Sequence, residues 1–128
     1  MIYLGSMKTI LIIEDEKAMN EKHAEEFRKT GFQVLQAYDG VEGMAVLRRE
    51  QVDAVLLEVV MPKMDGFEVL RRMKKDVRLK DVPVFIHTHL GHPDDIKAGK
   101  DLGAQEVLLK GTLEPAGIAK RFQTLFTK

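Results

Sequence analysis

Five short apolar runs punctuate the chain: Ile10-Leu11-Ile12-Ile13, Val34-Leu35, Ala54-Val55-Leu56-Leu57, Val84-Phe85-Ile86 and Val107-Leu108-Leu109. Each is continuous rather than alternating, the pattern of strands covered on both faces, as in a parallel sheet. The segments between them carry helical periodicity. Met19, His23 and Phe27 share one stripe. Val41, Met44, Ala45 and Leu47 followed by Arg48 mark a second helix, and Phe67, Leu70 and Met73 a third. Ile118, Phe122, Leu125 and Phe126 form the apolar face of the last. Helix starts are written into the sequence as well. Asp39 with Glu42, and Asp65 with Glu68, have capping-box spacing. Pro93-Asp94-Asp95 places proline and acids in a first turn. Strand and helix alternate five times, which predicts an α/β fold: one doubly wound, five-stranded parallel sheet with right-handed crossovers.

Composition narrows the class. With 128 residues, 45% hydrophobic and 31% charged, the chain has the balance of an ordinary one-domain globular protein. Residues 1–6 precede a plausible start at Met7 and read as an N-terminal extension or remnant. The domain is expected to occupy 7–128, leaving no room for an output module. Twenty basic residues offset twenty acidic ones. A formally neutral chain lacks the footprint of a nucleic-acid or anionic-membrane binder, and no helix-turn-helix segment remains once the five units are assigned. The absence of cysteine removes disulfides, thiolate metal sites and cysteine nucleophiles. No apolar run reaches membrane-spanning length and no signal-peptide pattern opens the chain, so a cytoplasmic location is expected.

In an open parallel sheet, ligands bind beyond the carboxyl ends of the strands. The first run is followed by Glu14-Asp15, the third by Glu58, the fourth by His87-Thr88-His89 and the fifth by Lys110. Carboxylates from two strands suit a hard ion such as Mg²⁺. A hydroxyl and a lysine beside them suit a phosphoryl group. Singly, each has a plainer reading: Asp15 can cap the first helix, and Lys110 can be a solvated strand-end lysine. The joint placement of all four groups at one edge carries the signal.

These residues, with Met61-Pro62-Lys63-Met64-Asp65-Gly66, Val82-Pro83 and Gly103-Ala104, make the chain resemble a receiver domain of two-component response regulators, similar to the chemotaxis regulators. The resemblance implies a flavodoxin-like (βα)5 fold with strand order 2-1-3-4-5. It also implies a phosphorelay switch rather than an enzyme. In such domains an aspartate after the third strand takes a phosphoryl group from a histidine kinase, with Mg²⁺. By that resemblance Glu58 stands at the acceptor position. Asp15 is a direct metal ligand, Glu14 acts through water, and the Val60 carbonyl completes the set with Glu58. Thr88 is the switch hydroxyl and Lys110 the essential lysine. The face formed by the fourth helix, fifth strand and fifth helix would meet a kinase or downstream effector, with the chain a monomer or weak homodimer.

Four positions depart from the family pattern. Glu58 replaces the aspartate, and its extra methylene moves the carboxylate roughly 1.5 Å, where about 1 Å of misplacement can cost a hundredfold in rate. Glu58 is therefore expected to reach Lys110 or Thr88 and fill part of the phosphoryl position, as a partial mimic of the larger charge. His89 stands beside the switch threonine in place of a small residue. Val107 replaces a swinging aromatic and is stiff at χ1. Gly111 replaces the proline that usually follows the lysine. Together they predict a phosphorylation-independent protein-interaction module; the alternative is a working phosphoacceptor on Glu58. Mg²⁺ binding is expected to be weak, and absent if Glu58 pairs with Lys110. A flavodoxin-like cofactor protein is disfavoured, since Glu14-Asp15-Glu16 stands where a phosphate loop would be. His87, His89 and His92 crowd one loop, with His87 and His89 on one side of an extended chain, but no acidic or cysteine ligand completes a transition-metal site there. His23 reads as a partly buried packing residue.

Overall fold

The computed structural model describes residues 7–127; the expectation for residues 1–6 lies outside the described residues. Strands β1 (Thr9–Ile13), β2 (Gln33–Ala37), β3 (Ala54–Leu57), β4 (Val84–Thr88) and β5 (Glu106–Leu109) alternate with helices α1 (Lys17–Lys29), α2 (Gly40–Arg49), α3 (Gly66–Lys74), α4 (Pro93–Asp101) and α5 (Pro115–Phe126). All strand pairs are parallel, in the order β2-β1-β3-β4-β5. The register sets Ile13 beside Ala37 and Leu57, Leu57 beside Ile86, and Thr88 beside Leu109, so the carboxyl ends form one edge. Among the described residues no helix is long and apolar enough to cross a membrane.

The continuous apolar runs follow from burial on both faces. Leu11, Ile13, Val55, Leu57, Val84 and Ile86 meet Met44, Val46, Leu47, Val69, Leu70 and Met73 of α2 and α3. Their strand neighbours Ile10, Ile12, Ala54, Leu56, Phe85 and Leu108 meet Ala24, Phe27, Ile118, Ala119 and Phe122 of α1 and α5. The α2 stripe differs from the sequence reading. Val41 and Ala45 face outward, while Gly40, Gly43, Met44, Val46 and Leu47 are buried. Gly43 on that stripe lets the helix approach Ile13 of β1, and Gly40 lets its first turn approach the Met64 backbone, closer than a hydrophobicity count foresees.

Helix starts obey local chemistry with variations. Asp39 accepts from the Glu42 amide at 2.8 Å, and Glu42 returns to the Tyr38 amide. Asp65 accepts from the Glu68 amide at 2.9 Å, but the Glu68 carboxylate turns to Arg71 and Arg72, so only half of that box forms. Asp15 does not cap α1; the N-cap is Glu16, without a side-chain bond. After β5, the Thr112 amide donates to the Leu109 carbonyl, and Gly111 occupies the third position of this turn at φ 91°. That left-handed conformation is closed to proline, whose φ is fixed near −65°.

Candidate functional site

The backbone ladder continues one residue past the strands and thereby aims the site. The Glu14 amide donates to the Ala37 carbonyl (3.1 Å), the Glu58 amide to the Ile13 carbonyl (2.9 Å), and the Lys110 amide to the Thr88 carbonyl (2.8 Å). Asn20, wholly buried on α1, donates from Nδ2 to the carbonyls of Glu14 and Ala37, both at 3.0 Å, and pins the end of β1. The sequence reading missed Asn20, although a polar residue among His23, Ala24 and Phe27 on the buried side of α1 was the available signal.

At this edge Lys110 Nζ lies 2.7 Å from Glu14 Oε1 and 2.7 Å from Glu58 Oε1, with its side chain only 5% exposed. The other Glu58 oxygen, Oε2, accepts from the amides of Val59 (2.6 Å) and Val60 (3.2 Å). The longer side chain does not extend outward; it folds back so that one oxygen serves the lysine and the other the following backbone. Gly66 makes room for this arrangement. A Cβ there would come 2.2 Å from the Glu58 carbonyl oxygen, so α3 starts in direct contact with the Glu58 backbone.

The charges follow the contacts. Burial pushes the Glu58 carboxyl up, but the Lys110 ammonium, the Thr88 hydroxyl and the Val59 amide outweigh it and hold the group below its usual range. Burial wins at Glu14, whose carboxyl is raised despite Lys110 and the Glu16 amide. Burial lowers Lys110, yet its bonds to the two glutamates leave it raised overall and firmly cationic. The Thr88 hydroxyl also accepts from the Leu90 amide at 3.3 Å.

Glu14, Glu58, Thr88 and Lys110 therefore converge, while Asp15 and Val60 stand exposed at the surface. Asp15 is exposed, and the Val60 residue is 61% exposed with its amide, not its carbonyl, engaged by Glu58. Magnesium needs carboxylate oxygens free to face it in near-octahedral geometry. Here the ammonium takes an oxygen of each buried glutamate. Among the described residues no group of three or more acidic or histidine side chains is arranged to hold a metal ion. The donors as placed do not fit the ion.

The histidines divide differently from the sequence reading. His89 is exposed, whereas His87 turns inward and meets His23 of α1 edge-on, ring centroids 5.0 Å apart at 89°. His23 is fully rather than partly buried, at 1% exposure. His92 caps α4, its Nδ1 accepting from the Asp94 amide at 3.1 Å. Val107 packs under α4, where a Cβ on Gly99 would sit 3.0 Å from its Cγ2.

A family model for the response regulator receiver domain matches residues 10–122. Protein PilH of Pseudomonas aeruginosa is 38% identical over 104 residues, covering 81% of this chain and 86% of that protein. The DNA-binding dual master transcriptional regulator RpaA of Synechocystis is also 38% identical over 104 residues, 81% of this chain, which spans only 43% of RpaA's length. The chemotaxis response regulator CheY4 of Vibrio cholerae superposes with a TM-score of 0.86 at 26% identity, covering 94% of this chain and 100% of that one.

Proposed function

The chain belongs to the response regulator receiver domain family, and from that premise we propose that it is a receiver whose phosphoryl position is filled by its own Glu58, so that it presents its binding face without being phosphorylated. The observation that carries this reading is the 2.7 Å contact between Lys110 and Glu58, with the second Glu58 oxygen on the Val59 and Val60 amides. Carboxylate oxygens on an ammonium, a hydroxyl and two amides make the kinds of contact a phosphoryl group would seek. An acceptor held this way has no oxygen free for in-line attack on a donor. Glu58 carries one charge against roughly −1.5 to −2 for a phosphoryl group, so the mimicry is partial.

In this reading Glu58 and Glu14 hold the ammonium, Thr88 is oriented by Glu58 and the Leu90 amide, and Lys110 fixes the end of β5. The face built from α4, β5 and α5 meets a histidine kinase or an effector protein, with the chain acting in the cytoplasm as a monomer or weak homodimer. Half-buried Val107 under α4 leaves no aromatic rotamer to relay a signal there.

The test is incubation with Mg²⁺ and a small-molecule phosphodonor, read by intact mass. The native chain is expected to gain nothing, while Glu58→Asp, which withdraws the carboxylate from Lys110, gains one phosphoryl group. A stable gain on the native chain that Glu58→Gln abolishes would replace this reading with a working glutamyl phosphoacceptor.

A further inference from the structure

The chain is neutral overall, but its two ends are not. Exposed Asp15 and Glu16 follow β1 at the carboxyl edge of the sheet, half-buried Asp39 follows β2, and exposed Asp65 stands in the loop after β3. Among the described residues Asp39 alone of these four has a basic partner, Lys63. The helices run back to the amino edge, and there Arg48, Arg49, Lys75, Arg78 and Lys80 are all exposed. Arg78 donates to the Leu47 carbonyl, which sets the turn after α3 against the end of α2 and gathers these cations. Among the described residues Arg49 alone of the five has an acidic partner, Glu50. The 10 residues of α2 hold the two edges roughly 15 Å apart. That is about twice the screening length at physiological salt, so neither edge neutralises the other.

Helix dipoles favour acids in first turns and bases in last ones, and they account for part of this polarity. They do not account for Lys80, beyond the end of α3, or for Asp15, ahead of the α1 cap. Nor do they account for the exposed valines. The large apolar side chains left exposed among the described residues are Met7, Val41, Val60 and Val77. Val41 and Val60 stand at the acidic edge, Met7 and Val77 at the basic one, and Val77 is 85% exposed. Single exposed valines are ordinary; here they are confined to two oppositely charged ends. We propose that the chain associates weakly with copies of itself, head to tail, the basic edge around Val77 seated on the acidic edge around Val60 of the next copy. Charge complementarity selects this occupant, because the surface that matches the basic edge lies on the same chain. A formally neutral molecule is also not repelled by its own copies. Two like edges repel, which excludes a symmetric dimer built from either edge alone. A junction of two different edges leaves one of each free, so the association is open-ended. It covers the loops after β1 and β3, leaves the α4, β5 and α5 face open, and uses none of the side chains on which the proposed function rests.

The experiment follows the weight-average mass of the intact chain by sedimentation equilibrium while salt and protein concentration are varied. At about 0.01 M salt, where charges act over roughly 30 Å, the mass is expected to climb with concentration past that of a dimer. At about 1 M salt, where their reach falls to roughly 3 Å, it should return to that of the monomer. Val77→Glu with Lys80→Glu spoils the basic edge, and Asp15→Lys with Val60→Lys the acidic one. Each pair is expected to weaken association by about tenfold or more. Mixed in equal amounts, each supplies the edge that the other lacks, and the mass should rise again. A native chain that is monomeric at every salt concentration, a mass that stops at the dimer, or a mixture no heavier than its components would overturn the proposal. The native salt series decides the matter even where a variant folds poorly, and no readout depends on whether Glu58 accepts a phosphoryl group.

Discussion

Glu58 shows how one buried carboxylate divides its two oxygens between a lysine ammonium and the backbone that follows it. The sequence contained Glu58 and the neighbours it would seek, and Lys110 and Thr88 bond to it in the structure. It did not contain the return of the second oxygen to the Val59 and Val60 amides, because that bond depends on χ angles and a backbone turn that no residue type announces. Asp15 stands next to Glu14 in the sequence, but burial separates the two: Glu14 is buried and paired with Lys110, while Asp15 is exposed. The ammonium sits between two buried carboxylates, so removing it leaves both without their cation. Stripping one partner from a buried ion pair costs about 3–5 kcal/mol. Lys110→Met is therefore expected to lose about that much stability in urea unfolding, and adding Glu58→Gln should restore part of it by removing one stranded charge. A loss below about 1 kcal/mol would mean that the triad is solvated and contributes as little as a surface pair.

At the scale of elements, local signals were the most legible. Apolar runs gave the strands, and Asp39, Asp65 and Pro93 gave the starts of three helices. Legibility ended where tertiary packing chose between two local options. The Glu68 carboxylate could close a capping box or pair along α3, and two arginines decided it. Lys63, at φ 69°, sits inside a tight turn closed by the Met64 amide on the Pro62 carbonyl at 2.7 Å, a conformation no lysine advertises. The junction of α1 with β4 through His23 and His87 was invisible because the two residues are 64 positions apart by their numbers. That junction has a pH signature. Each imidazole falls from 6.5 to about 4 on folding, so between those values the unfolded chain binds protons that the native chain refuses. Stability is then full above pH 6.5 and declines as pH falls toward 4, by up to about 3 kcal/mol per histidine. Urea midpoints measured from pH 7 to pH 4.5 in the presence of a chelator should fall more steeply for the native chain than for His23→Phe. Parallel profiles would show that the rings are already reached by solvent.

For the whole molecule, the alternation of strand and helix was sufficient to give the doubly wound sheet, and the resemblance supplied the strand order that the structure shows. Topology in turn guaranteed that residues 14, 58, 88 and 110 would share one edge. What topology cannot state is whether the edge is open to a cation or closed on itself, since both arrangements use the same residues and differ only in which charge fills the space between them. The closed arrangement has a consequence for the stability of the entire domain. An ion that binds only the folded chain, present at about a hundred times its Kd, adds about 2.7 kcal/mol, which is several degrees in Tm for a domain of this size. Here Mg²⁺ must first displace the Lys110 ammonium from Glu14 and Glu58, and Asp15 alone is free to meet it. The Tm of the native chain in roughly 10 mM Mg²⁺ is therefore expected to match that in a chelator to within about 1 °C, whereas Glu58→Asp, with its carboxylate drawn back, gains several degrees. A rise of several degrees in the native chain would show that the lysine yields its place readily, and that the edge is an open acidic cup after all.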